Sequence, residues 1–144
     1  MPGLLNELGR FASVIPLAGI GSGTQYNGAA AGATGIDTKD YDQIYLRISA
    51  AAATTSGGVV ASVIASESNS PVASDVETVA TFGTIVAGAV QTGFVLCKGK
   101  KRYFWIKTVS TNAEAGVLAQ AMLFNYDRPP TPAVASDDTF NVNY

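Results

Sequence analysis

The sequence predicts an all-β fold: an antiparallel β-sandwich or jelly-roll with extended N- and C-terminal arms. Three observations lead there. From Gln43 the chain alternates strictly, with Ile44, Leu46 and Ile48 on one face and Gln43, Tyr45, Arg47 and Ser49 on the other, which is the period of a half-buried strand. Clusters of Gly, Ser, Thr, Asn, Asp and Pro punctuate the rest at intervals of roughly 8 to 12 residues, enough for about seven or eight short strands. Tyr103, Phe104 and Trp105 concentrate aromatic area in one such strand, marking the heaviest part of a core. A chain of 144 residues is the size of one domain and buries about 68–70% of its unfolded surface.

Taken in order, Leu4, Leu5, Leu8 and Phe11 fall at helical spacing and place four apolar side chains on one face of a short helix. Val14, Ile15, Leu17 and Ile20 suit a first strand, which Pro16 confines to an edge or an extended arm. Gly19 to Gly35 reads as a loop of small residues. Its glycines lack the spacing and the lysine of a phosphate-binding loop. Residues 1–35 are therefore assigned to an N-terminal arm and Gly/Ala-rich loop region, 36–128 to the sandwich, and 129–144 to a Pro-rich tail.

Asp37, Thr38, Asp40 and Asp42 favour a turn before the alternating strand, because short polar side chains bond nearby backbone. After it, Thr54 to Gly58 turns the chain and Val59 to Ser66 returns, as in a hairpin. Glu67 to Pro71 ends that strand, Val76 to Phe82 begins another, and Gly83 and Gly88 bracket a bulge or bend. Gln91 to Cys97 and Arg102 to Ser110 flank Lys98-Gly99-Lys100-Lys101 in the clearest hairpin pattern. Val117 to Tyr126 forms the last strand, with Leu118 and Met122 as candidate core residues. Pro129, Pro130 and Pro132 cannot feed a central sheet.

The chemistry-bearing residues are few. There is no histidine, which removes Ser-His-Asp triads, Cys-His dyads and histidine metal sites together. Cys97 is alone, so neither a disulfide within the chain nor a cysteine zinc site is expected, and a small buried hydrophobe is its simplest role. Asp37, Asp40 and Asp42 lack the glycine and distal glutamate of a calcium loop and read as a plain turn. Glu67, Asp75 and Glu77 have nothing to place them in a glycosidase cleft. Trp105 and Tyr103 are read as core rather than as a sugar-stacking platform. No catalytic, cofactor-binding or metal residue is assigned.

Formal net charge of −2 and a pI near 4.9 argue against a nucleic-acid binder. Glu7 and the late first cation, Arg10, leave Phe11 to Ile20 without a basic leader, and that run is too short to span a membrane. Charged residues make up 14% of the chain against roughly 25% in typical soluble domains, which suggests a surface partly covered by partners. The candidate interface residues are Leu4, Leu5, Leu8, Phe11, Lys98, Lys100, Lys101, Arg128, Phe140 and Tyr144.

The phrases Ile36-Asp37-Thr38-Lys39-Asp40-Tyr41-Asp42, Ala65-Ser66-Glu67-Ser68, Lys101-Arg102-Tyr103 and Tyr126-Asp127-Arg128-Pro129-Pro130 resemble small structural proteins of tailed bacteriophages. In particular the chain looks like the jelly-roll cement or decoration proteins of phage heads, over roughly residues 36 to 130. The resemblance implies a protein without catalysis or cofactor that binds the outside of an icosahedral shell of HK97-fold major capsid protein. It further implies a dimer or trimer that clamps neighbouring capsomers, assembled in the host cytoplasm and resident on the capsid exterior. Another virion component, from tail, neck or fibre, and a carbohydrate-binding β-sandwich are the alternative readings.

Overall fold

A computed structural model describes residues 10–15, 19–30, 33–51, 58–97 and 99–124. Among them are nine strands: β1 (Arg10–Ile15), β2 (Gly23–Tyr26), β3 (Ile36–Asp37), β4 (Gln43–Ala50), β5 (Val59–Ser66), β6 (Glu77–Ile85), β7 (Val90–Leu96), β8 (Tyr103–Ser110) and β9 (Val117–Phe124). They form two antiparallel sheets. One runs β1-β9-β4-β7, the other β2-β8-β5-β6, with β3 also pairing with β8. Setting β3 aside, this is the strand order of a jelly-roll, in which nearly every link crosses from one sheet to the other.

The alternating stretch behaves as its period requires. Ile44, Leu46, Ile48 and Ala50 are buried while Gln43, Tyr45, Arg47 and Ser49 are half-exposed. Val117, Ala119, Ala121 and Leu123 of β9 lie on the same inner face, opposite Val59, Ala61, Val63 and Ala65 of β5 and Phe104 and Ile106 of β8. Alanine is frequent on this inner face because small side chains let two twisted sheets approach closely over a core that Ile and Phe fill.

Several sequence expectations are corrected. β4 and β5 are not a hairpin, because β4 is flanked by β9 and β7 while β5 lies in the other sheet between β8 and β6. The pattern at 91–110 is likewise not a hairpin: β7 pairs with β4, and β8 pairs with β2, β3 and β5. A short turn between alternating strands has the same local signature whether it closes a hairpin or crosses between sheets. Of the links between consecutive strands, β5–β6 joins true neighbours.

Gly19 to Gly35 is not all loop, since β2 pairs with β8 from Gly23↔Ser110 to Tyr26↔Lys107. Gly23 at φ 78° and Asn27 at φ 51° bracket this strand, so its glycines serve the bends rather than mark a tether. Asn27 then continues the pairing with its side chain: Oδ1 accepts from the Ile106 N–H at 2.8 Å, and Nδ2 donates to the Thr34 carbonyl at 3.0 Å. Phe11 lies in β1 opposite Met122, not in a helix. Its spacing from Leu4 and Leu8 suited a helix, but the backbone from Arg10 onward is held by β9. Val14 and Ile15 are both buried because the register shifts between Ser13 and Ile15. Leu118 is half-exposed and outward-facing, whereas Val117 and Ala119 take the inner positions.

Thr108 is fully buried on the inner face, and its Oγ1 has no hydrogen-bond partner. Thr108→Val replaces that hydroxyl by a methyl of nearly the same shape. Removing an unsatisfied buried polar group should stabilise the fold by about 1–2 kcal/mol, measured as a raised midpoint in urea with an unchanged slope.

Candidate functional site

Two features outside the core gather the residues able to engage a partner. The first is the loop cluster at one end of the sandwich, formed by residues 37–42, 67–76, 97 and 99–102. Asp37, at the end of β3, accepts from Arg102 Nε at 2.9 Å and Nη2 at 2.7 Å, a two-pronged pair. That carboxylate is the main reason the Arg102 guanidinium holds its proton even more firmly than usual. Thr38 Oγ1 donates to the Arg102 carbonyl at 2.6 Å. The three-aspartate stretch is therefore a brace between loops. Among the described residues no group of three His, Cys, Asp or Glu side chains could hold a metal ion.

Asp75 is the second brace. Its carboxylate accepts from Ser66 Oγ at 2.5 Å and from the Glu67 N–H at 2.7 Å. Lys101 donates to the Asp75 carbonyl and lies 3.8 Å from its carboxylate and 3.9 Å from that of Glu77. The Ser66 bond, then the Glu67 bond, hold the Asp75 carboxyl below its ordinary 3.8. A depressed carboxylate stabilises the fold while ionised, so this contribution is complete above the ordinary value and fades as pH falls through the lower folded one. Asp75→Asn should therefore lower the melting temperature at pH 7 and flatten its decline below pH 4, as scanning calorimetry at both pH values would record.

Of the basic residues singled out in the sequence, Lys101 is thus occupied within the fold, Lys100 is exposed, and Lys98 lies outside the described residues. So do Leu4, Leu5, Leu8, Arg128, Phe140 and Tyr144. Phe11 is placed by its backbone in β1. Cys97 is 4% exposed, and burial, then the nearby Asp42 charge, pushes its thiol up to about 12. It is a weak nucleophile in this setting.

Trp105 points away from the sheet interface yet is completely buried, because residues 33–35 lie over it and Nε1 donates to the Ala33 carbonyl at 3.0 Å. A sugar platform on Trp105 is excluded by that cover. A side chain at Gly35 would put its Cβ 2.7 Å from the indole.

The second feature is the outer face and free edge of β7. Val90, Phe94 and Leu96 are 42%, 51% and 61% exposed. Phe94 contacts Tyr45 with ring centres 4.9 Å apart, and its ring centre lies 6.3 Å from that of Phe124, extending the apolar strip across β4 to β9. Val90, Phe94 and Leu96 were not singled out from the sequence. β7 alternates, but its larger apolar side chains face outward and Gln91, Gly93 and Val95 inward, so the usual rule of apolar side inward selects the wrong face.

Fold and site together define a jelly-roll domain with braced loops and an apolar strand edge. No family model matches the sequence, and no curated protein matches it. Among solved structures it is similar to the crystal structure of the PBSX exported protein XepA, with a TM-score of 0.58 and 11% identity, over 94% of this chain and 43% of that one. The chain thus spans less than half the length of that protein. At this identity the likeness is one of fold.

Proposed function

We propose that this chain is a non-enzymatic structural protein of a bacteriophage, and that it binds the outer surface of an icosahedral shell and cements neighbouring capsomers. One observation carries the reading: Asp37, Arg102, Asp75 and Lys101 are engaged in bracing the loops, while β7 presents Val90, Phe94 and Leu96 together along an open strand edge. A surface of that kind suits adhesion between proteins. Exposed apolar patches rimmed by polar residues mark such contacts, and many weak copies on a symmetric shell bind tightly through multivalency. The fold similarity to the PBSX exported protein XepA supports the association with phage.

The test is co-sedimentation of the purified chain with phage heads lacking it. Saturable binding at a fixed number of copies per shell subunit is expected; no binding to heads from its own phage would reject the cement role. The contribution of the N-terminal segment is tested by deletion of residues 1–9. A deletion reaching residue 20 would remove β1 together with buried Val14, Ile15 and Ile20, confounding lost binding with lost fold.

A further inference from the structure

β7 is an edge strand, paired with β4 on one side and, among the described residues, with no strand on the other. Hydrogen bonds at its ends show which way its backbone faces. The Cys97 N–H donates to the Asp42 carbonyl at 2.8 Å, and the Ala50 N–H to the Ala89 carbonyl at 3.0 Å. With the register Ile44↔Val95, Leu46↔Gly93 and Ile48↔Gln91, the backbones of Gln91, Gly93 and Val95 turn toward β4. Those of Val90, Thr92, Phe94 and Leu96 turn to the open edge, by the alternation of an antiparallel ladder.

The other edges carry features that discourage strand addition. β6 has Glu77 and two register shifts against β5. β1 has a register shift and is followed by Pro16. β2 is four residues long between two positive-φ positions. β7 runs seven residues in unbroken register with no charge and no proline, and an edge left so open is a template for another strand.

We propose that this edge takes the segment Thr139–Tyr144 of a second copy of the chain as an added antiparallel strand. The segment alternates, with Phe140, Val142 and Tyr144 on one face and Asn141 and Asn143 on the other, and it carries no side-chain charge. Strand addition draws affinity from the backbone ladder and selectivity from alternate side chains, here Phe140, Val142 and Tyr144 over Phe94 and Leu96. Charge sets the direction: Asp137 and Asp138 precede the segment, and antiparallel entry brings them to the Leu96 end, beside exposed Lys100 and near Lys98 in the sequence. Parallel entry would bring them to the uncharged Val86–Ala89 turn.

The intervening chain favours a neighbour as donor. Phe124 pairs with Gln43 and Gln43 with Leu96, so the open edge lies three strand spacings from β9, roughly 14 Å. Asp127 to Pro132 contains three prolines, a composition that holds about 3.1 Å per residue in a semi-rigid run. β7 and β9 run in the same direction, so antiparallel addition to its own edge would require the chain to reverse, which a proline-rich extended run disfavours, whereas a neighbour's edge requires no reversal. The inference rests on the strand edge and does not require the shell-binding reading.

The test uses two variants of the full chain, one lacking residues 137–144 and one with Phe94→Lys, which charges the exposed edge. Light scattering coupled to size exclusion should show the unmodified chain as a multimer and each variant alone as a monomer, with circular dichroism unchanged. Mixing the two should restore a complex, since one keeps the acceptor edge and the other the donor segment. Hydrogen exchange at Thr92, Phe94 and Leu96 should slow at least tenfold in the multimer. A monomeric unmodified chain, variants that remain multimeric, or a mixture that fails to associate would each overturn the exchange.

Discussion

Trp105→Ala should be among the most damaging single substitutions in this protein, lowering stability by about 3–5 kcal/mol. The indole is fully buried, and it is the clasp that residues 33–35 close upon through the Ala33 carbonyl. Its removal leaves a cavity and an unpaired carbonyl. The segment leading into β3 then loses its seat, along with the Asn27–Thr34 bond beside it. Against a total stability typically of 5–15 kcal/mol, the loss should appear as a fall of about 10–15 °C in the melting temperature followed by circular dichroism. Trp105→Phe keeps most of the packing and loses the N–H, so a drop less than half as large is expected. Equal drops for the two variants would assign the effect to the hydrogen bond rather than to the buried ring.

Leu46→Ala should cost about 3–4 kcal/mol, toward the upper part of the range for such truncations. Leu46 is 1% exposed, and its neighbours across the two ladders are Gly93 and Ala121. With a glycine on one side and an alanine on the other, neither ladder neighbour has a side chain long enough to fill the space. Leu46→Met keeps the volume and should cost less than about 1.5 kcal/mol. Chemical unfolding of both variants checks this, and a small cost for the alanine variant would mean that the facing sheet closes over the gap.

The sandwich was readable in the sequence because a side-chain period of two survives wherever one face is wet. β4 is the clear case, with Ile44, Leu46 and Ile48 alternating against Gln43, Tyr45 and Arg47. Pairing was not readable, since the turn chemistry that would close a hairpin at 98–101 serves equally to carry the chain between sheets, and only the opposing ladders decide. β2 escaped notice because its partner supplies the order: Gly23 has little strand preference of its own and Thr24 to Tyr26 are too few to show a period, but β8 and the side chain of Asn27 hold them.

The candidate site was legible in the same uneven way. Asp37, Asp40 and Asp42 announced a turn, yet nothing local signals that Arg102, 65 residues further on, pairs with Asp37. Lys101 looked like a free cation at a hairpin tip and is instead held by Asp75 and Glu77. Phe94 and Leu96 could not be distinguished from core residues, because their exposure follows from β7 lying at an edge with its larger apolar side chains turned outward.

If the chain cements a shell in many copies, quantitative mass spectrometry of purified particles from the source should count them. Copies in a simple ratio to the major shell subunit, numbering in the hundreds on a large head, are expected from multivalent binding. A few to a dozen copies would place the protein in the neck or tail, and its absence from particles would exclude a structural role in the virion.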